Sequence, residues 1–580
     1  MTRRLSLTPY LFLVPALALV AIFVIYPIGA VVYYSFTEYD IITTPQWVGL
    51  KNYEHLIADP TFWKALTNSV VYLVATPIVI VLAILLALVV NRRLPGISLF
   101  RALYFVPAVS GSIAIGISWR WLFERNGMIN SILISTGILH EPVQWLTNPD
   151  FVLPIAIMLT VWAGIGYYAV IFLAGLQNIP EELYDAARID GCNDWQKHWH
   201  VSLPGLRPQI VFVAVISALA ALKVFDEIYV LTNHTGGVLE SGTTIVFYLW
   251  RQAFVPVARR LCVGDRDRAA ARHARLLDRP RPRPRARDGG GVTAATTRIP
   301  GAGRARARRR LEPIFWYVLL SLVAVVTVFP FAWMLLTSLK GPTDEIFSVP
   351  PQLLPGHPTL ANYGAVLDQL PVPKFFLNSI IVGVAVTILN VLVAALAAYP
   401  LAKLRFFGRE AIFYLLLGTI IVPAQLTYIP SFVMAVNVFH YYDSLPALIL
   451  PNLASAFNIF LLRQAFRGVP NDLMDAARMD GASELRIWWS ILLPVIRPSL
   501  AAVAIFTFVT SWNDFLWPSL MLHTREGMTL PVGLVALQGF FSSDFRSIAA
   551  GVTMTVVPII IFFMIFQRQF VRGLAGAVKG

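Results

Sequence analysis

Residues 180–208 read PEELYDAARIDGCNDWQKHWHVSLPGLRP, and residues 470–498 read PNDLMDAARMDGASELRIWWSILLPVIRP. They align without a gap at an offset of 290, with 13 of 29 positions identical. One chain therefore carries the same unit twice, and the same orientation of both copies implies a parallel repeat. In each copy a proline (Pro180, Pro470) suits the first turn of a helix, where its missing N–H is no loss. Acidic residues follow (Glu181 and Glu182; Asp472), favourable at the positive end of a helix dipole. Leu183, Ala186 and Ala187, like Leu473, Ala476 and Ala477, make a shallow apolar face at helical spacing. Gly191 and Gly481 then stop the helix, as residues free to take φ > 0 do.

The surroundings are membrane-like. Of 580 residues, 57% are hydrophobic and 13% charged, with a mean hydropathy of +0.67. A soluble chain carries roughly 25% charged residues. The apolar residues come in blocks of about twenty, enough to cross a hydrocarbon core as a helix. The fold class expected is an all-α polytopic membrane protein, not a β-barrel, whose strands would alternate over about ten residues. Spans are predicted near 10–34, 68–90, 100–122, 152–176 and 209–231, then 314–338, 377–399, 411–435, 445–465, 499–521 and 547–567. The long apolar run near the start predicts an uncleaved first span. Each duplicated segment joins the fourth and fifth spans of its half. Cys192 and Cys262 are too few for a disulfide framework and have no metal-ligand spacing.

Arginine and lysine set the sides. Arg3, Arg4, Arg92, Arg93 and Arg101 flank the first half, Lys403, Arg405 and Arg409 the matching loop of the second, and Arg568, Arg572 and Lys579 the last span. The positive-inside rule then puts 180–208 and 470–498 in the cytoplasm. The net charge of +14 is thus a matter of loops beside a bilayer, and nucleic acid is not an expected partner. A short helix with an alanine face, a glycine break and exposed charge suits a groove on another protein. The other reading is an interfacial helix on lipid, but lipid has no use for the fixed Asp, Arg, Asp and Gly that both copies keep.

The pattern closely resembles the EAA loop of ABC importer permeases, E-A-A-x(3)-G-x(9)-I-x-L-P. Asp185, Ala186, Ala187, Gly191, Val201, Leu203 and Pro204 match in the first copy, and Asp475, Ala476, Ala477, Gly481, Ile491, Leu493 and Pro494 in the second. Aspartate stands where the family often has glutamate, and Arg188 with Asp190, or Arg478 with Asp480, completes each copy. LTPYLFLVPALALVAIFVIYPIGAVVYYSFTEYD (7–40) and WVGLKNYEHL (47–56) resemble the first permease of carbohydrate importers of the maltose and glycerol-3-phosphate type. NSIIVGVAVTILNVLVAALAAYPLAKLRFFGR (378–409) and FTFVTSWNDFLWPSLML (506–522) resemble the second. The resemblance covers about 1–255 and 311–580. It implies two fused permease halves of six spans each, whose loops dock on two separate ABC ATPase subunits that use ATP and magnesium. It also implies a periplasmic or lipid-anchored solute-binding protein and a place in the bacterial inner membrane. The chain itself is not expected to be an enzyme or to bind a cofactor: it has no G-x-x-x-x-G-K-[ST] to cradle phosphates.

For the solute path, polar groups inside spans are costly and usually face a cavity or a partner. KVFDEIYVLT (223–232) and TSWNDFLWPS (510–519) offer Asp226 and Glu227, then Trp512, Asn513 and Asp514. Carboxylates, an amide and an aromatic ring suit a sugar; the plainer reading is an outer end that meets water. A secondary transporter of the major-facilitator type also has two parallel halves, but leaves the duplicated loop unexplained. A non-transporting membrane scaffold is a third reading.

One stretch does not fit. The last span, 547–567, should have a counterpart near 257–277, where the chain reads VARRLCVGDRDRAAARHARLLD. Residues 259–310 hold 17 arginines and no Lys, Glu, Phe, Tyr or Trp. The organisation expected is a first half (1–257), an Arg/Pro/Gly-rich seam (258–310) and a second half (311–580). Two readings of the seam stand: a basic linker facing anionic lipid, or two permease genes joined by a frameshift and read out of frame to about residue 291. The missing span favours the second, which leaves a defective fused permease as an alternative function. Re-reading the DNA across codons 250–295 decides between them.

Overall fold

The computed structural model describes residues 7–39, 44–92, 94–263, 304–541 and 544–578. Among them are six unbroken helices long and apolar enough to cross a membrane, and up to eleven spans if each of five bent pairs counts as one. The only paired strands described are the two-residue segments Thr37–Glu38 and Gln46–Trp47. The fold is all-α and polytopic, as expected, but several spans predicted as single helices are broken.

The third span of each half starts at a left-handed glycine, Gly96 (φ 73°) or Gly408 (φ 79°), and runs 13 residues, Ile97–Val109 or Arg409–Ile421. It then turns by 93° into Ser112–Leu122, or by 96° into Ala424–Asn437. Ser110 and Gly111 are extended in the first half. In the second it is Val422, which Pro423 keeps out of the helical region. The fifth spans stop at Leu222 and Asn513 and resume at Asp226 and Leu516. The fourth span is a single helix in the first half, Pro149–Gln177. In the second it is bent by 46° between Pro446–Asn452 and Ala456–Arg467.

Each half lends its first span to the other. Thr8–Ser35 packs Phe12, Leu13, Ala16 and Val20 into a core with Ala394, Tyr399, Phe413 and Trp488. Tyr10 Oη donates to the Phe407 carbonyl at 2.9 Å. Reciprocally, the helix Arg304–Ser338 lies on the first half: Tyr104 Oη donates to the Leu320 carbonyl (2.6 Å) and Tyr317 Oη to that of Pro95 (2.9 Å). The Arg92 guanidinium sits 3.8 Å over the Trp316 ring.

The duplication reaches well beyond the loop. At the far end of the second span, Asn68 Nδ2 donates to Glu240, Ser241 and Thr243 carbonyls, and Asn378 Nδ2 to those of Glu526 and Met528. Beside them Ser69 Oγ accepts from the Ile245 N–H and Ser379 Oγ from that of Leu530. These pairs make Ile245–Val263 the counterpart of Leu530–Phe540. The counterpart of the following helix, Phe545–Val578, would fall beyond Val263; residues 264–303 of the seam, with most of that expected place, lie outside the described residues, while 258–263 end the helix Ile245–Val263 and 304–310 begin the helix Arg304–Ser338. Within the first half, packing is close enough to dictate a residue: a Cβ at Gly166 would lie 1.9 Å from the Tyr104 carbonyl.

Candidate functional site: two helical loops and a polar chamber

Each duplicated segment folds as helix, glycine turn, helix. Glu181–Ile189 follows Pro180, whose ψ of 135° puts it one residue ahead of the first turn, and Asp472–Met479 follows Asn471. The prolines therefore precede the helices rather than opening them. Gly191 and Gly481 both take φ +78°. There Cys192 N–H bonds the Ala187 carbonyl and Ala482 N–H that of Ala477, satisfying carbonyls the helix end leaves free. Arg188 pairs with Asp185 (2.8 Å) and Arg478 with Asp475 (3.1 Å). Ala187 and Ala477 are buried, while Ala186, Ala476, Asp190 and Asp480 are exposed.

The Leu-Pro pair has a structural consequence. Pro204 and Pro494 have no N–H to offer the carbonyl four residues back. The preceding turns, His198–Ser202 and Trp488–Leu492, widen into π-helix. Leu203 and Leu493, half-buried, follow that turn, and the chain then bends by 67° or 81° into the fifth span. Large apolar side chains are left in the open at matching places: Leu183 and Leu473, Trp195 and Leu485, Trp199 and Trp489. Ile189 and Met479 are 87% and 89% exposed. The two loops thus present matching apolar patches rimmed by charge.

The two loops are anchored differently. Glu484 accepts from Arg478 Nε at 2.9 Å and from the Tyr399 hydroxyl. Trp488 Nε1 donates to the Ala395 carbonyl (3.2 Å), and Lys403 Nζ to Asn471 Oδ1 (2.8 Å). Burial pushes the Glu484 carboxyl up, but the Arg478 and Tyr399 hydrogen bonds outweigh it and hold it below its usual range. In the first loop the corresponding bonds are local: Asp194 with Lys197, and His198 with Ser202.

Of the residues predicted for the solute path, Asp226, Asn513 and Asp514 line one chamber of about 420 Å³. Asn513 also reaches the first half, donating to the Val109 carbonyl at 2.8 Å. Glu227 is not among the lining residues. Trp512 is 3% exposed and packs edge-on to Phe376 at 5.6 Å, so its ring belongs to the core. Sequence reasoning missed Asn390, Asn458, Thr507, Gln425 and Tyr428, which line the same chamber. Asn390 and Asn458, single amides inside apolar runs, were the signal that could have found it.

The described transport-family pattern "binding-protein-dependent transport system inner membrane component" matches residues 56–255 and again 390–576. The chain belongs to that family. Both matches include one of the duplicated loops, and the gap between them contains the seam. A lactose transport system permease protein of Rhizobium radiobacter is 35% identical over 255 residues, covering 43% of this chain and 85% of that protein. An arabinooligosaccharides transport system permease protein of Bacillus subtilis is 34% identical over 280 residues, covering 47% and 96%. A diacetylchitobiose uptake system permease protein of Streptomyces coelicolor is 36% identical over 279 residues, covering 47% and 90%. Relatives of this family that match nearly end to end thus take up about half of this chain, as a fusion of two permeases requires. A solved bacterial ABC transporter for the polysaccharide alginate aligns at a TM-score of 0.40 and 24% identity, over 47% of this chain and 99% of that one; so loose a likeness carries no argument about the site.

Proposed function

We propose that this chain is the membrane-spanning permease of an ATP-driven, binding-protein-dependent importer for a sugar or related polyol, working in the bacterial inner membrane. The observation that carries it is the paired loop: two helix–glycine–helix units present the same apolar positions 290 residues apart. Two equivalent sockets on a symmetric pair of ABC ATPase subunits are the natural occupants. ATP and magnesium belong to those subunits. Their closure would push both loops together and rock the two halves about the chamber between them. The loops then lie in the cytoplasm, where Arg92, Lys403 and Arg405 flank neighbouring turns. A periplasmic or lipid-anchored binding protein would deliver the solute to the opposite face. The sugar class rests on the relatives' names and on the carboxyl and amide groups of Asp226, Asn513 and Asp514 in the chamber wall.

The test is uptake of labelled sugars by cells with and without the cognate ATPase. Uptake that collapses without the ATPase supports the importer. Uptake that persists on a proton or sodium gradient overturns it in favour of a secondary transporter.

A further inference from the structure

The last span of the second half sits in a seat built from both halves. Phe563 packs with Phe105 and Val109 of the broken third span and with Ile505 of the fifth. Its ring stacks on that of Phe105 at 4.6 Å. At the start of the same helix, the Phe545 ring lies 4.2 Å from Trp121, 5.2 Å from Trp333 and 5.5 Å from Phe347. Between these two anchors Ile548, Val552, Val556 and Ile559 are buried at helical spacing.

The repeat builds the same seat a second time and leaves it open. Gly96 and Gly408 open third-span helices of equal length, so Val109 corresponds to Ile421. The duplicated loops set the fifth spans 290 residues apart, so Ile505 corresponds to Val215. Val109 and Ile505 are 2% and 5% exposed, whereas Ile421 and Val215 are 65% and 55% exposed. The first spans correspond as well: Asn52 Nδ2 donates to the Ser35 and Thr37 carbonyls, and Asn362 Nδ2 to those of Ser338 and Lys340. A cleft of about 410 Å³ lies between the first span (Val31, Tyr34), Ile245–Val263 (Trp250) and Ala424–Asn437 (Ile429). The counterparts of two of these elements, Arg304–Ser338 and Ser112–Leu122, supply the Trp333 and Trp121 rings that hold Phe545. By the offset of Ile245 from Leu530, a match for Phe545–Gln567 would fall within about 260–282. Residues 264–303 contain no apolar run longer than three, and a spanning helix needs about twenty.

We propose that the open seat between Val215 and Ile421 is a docking site for one apolar transmembrane helix from a separate chain, with an aromatic side chain near its start and a second about eighteen residues later. The covered seat shows what fits, because Phe545 and Phe563 have that spacing. Eighteen residues make about five turns, so the two rings stand on one face about 27 Å apart. One is for the cleft and one for the gap between Val215 and Ile421. Helices associate in lipid by close packing rather than by exclusion of water, and Ala549, Ala550 and Gly551 give the seated helix small side chains for it. The seat follows from the repeat and is independent of what the chain transports.

The test uses the full chain, with Cys192→Ser and Cys262→Ser, in lipid nanodiscs. The probe is a synthetic peptide of residues 545–567 carrying Phe563→Cys, beside a poly-leucine helix of the same length with cysteine at the same place. Val215→Cys, Ile421→Cys and Leu322→Cys are introduced singly into the chain. All three positions are exposed, and Leu322 lies on Arg304–Ser338, which packs on the covered seat instead. Disulfide formation driven by copper phenanthroline is read on gels. The peptide is expected to react with Val215→Cys and Ile421→Cys about tenfold more than with Leu322→Cys, and about tenfold more than poly-leucine does. Excess unmodified peptide should suppress the reaction, and Phe545→Ala in the probe should weaken it. Equal reaction at all three positions, equal reaction of poly-leucine, or none at Val215→Cys and Ile421→Cys leaves the seat to lipid and overturns the proposal. Dependence of uptake on the ATPase is a separate measurement, so the importer reading can survive that result.

Discussion

Lys223 and Asn513 occupy the same place in the two halves, 290 residues apart, and each bonds the broken third span of the opposite half. Lys223 Nζ donates to the Ile420 carbonyl at 3.0 Å and Asn513 Nδ2 to the Val109 carbonyl at 2.8 Å. Ile420 and Val109 lie in the last turn of their helices, where carbonyls have no partner in their own ladder. The bends expose these acceptors, and the other half supplies the donors. On the proposed sidedness both bonds lie about 20 Å from the cytoplasmic ends of those 13-residue helices, so they hold the halves shut on the outer side.

Removing one donor should therefore favour outward opening. Lys223→Met or Asn513→Ala is expected to cost the closed state about 1 kcal/mol, a shift of about fivefold in the equilibrium. Distances between spin labels on the outer loops would read it, and the double variant should shift further than either. An unchanged distance distribution in both single variants would sink the latch.

Exposed apolar residues at the loop tips should carry affinity for the ATPase subunits. Ile189→Asp and Met479→Asp touch nothing in the permease core, so expression and thermal stability should stay at wild-type level. Each is expected to cost about 2 kcal/mol of binding, roughly thirtyfold. Co-purification of the ATPase with each variant measures it.

Glu484 gives the second loop a pH response. Its carboxyl is held below the usual range in the folded protein. Its contribution is therefore complete above the unfolded value and is lost as pH falls through the lowered folded value. Hydrogen exchange over Asp472–Met479 should rise on acidification in the wild type. Glu484→Gln should begin at the faster rate and respond less, and helix Glu181–Ile189 should lack this component.

Gly166→Ala should be badly tolerated. Its Cβ would fall 1.9 Å from the Tyr104 carbonyl, which is backbone and has little room to move. A loss of about 1–3 kcal/mol or more is expected, read as a lower melting temperature in detergent. Gly164→Ala, whose nearest neighbour is a Tyr168 ring atom at 3.2 Å, should cost less.

The exchanged first spans predict interdependence. Chains 1–257 and 292–580, made separately in one cell, should co-purify, and either alone should aggregate or be degraded. A monodisperse, stable second half on its own would contradict this.

Much of the architecture was legible because the chain states it twice: Asp-Ala-Ala-Arg and Leu-Pro at a fixed offset gave the loops. The bends were not legible. Proline is tolerated within membrane helices, so Pro107 and Pro423 do not by themselves tell a kink from a right-angled turn, and Pro154 sits in a helix that runs straight on. Trp512 misled because an indole beside Asn-Asp is equally at home in a path or a core; only its packing on Phe376 decides. Asn390 and Asn458 were visible letters, but their meeting depends on which faces of distant helices touch. The second Asn-Ser pair, 310 residues after Asn68-Ser69, was open to reading and marked the same clamp in both halves.

The crossing of first spans also bears on manufacture. A ribosome that has completed the first half has made a greasy strap, Thr8–Ser35, whose seat on Tyr399 and Trp488 does not yet exist. Until the second half is inserted, that strap can only lie against lipid, and so can the bare face that awaits Leu320. Equal and neighbouring synthesis of the two halves is thus a demand of the fold itself, met equally by one long polypeptide or by two translated from adjacent reading frames.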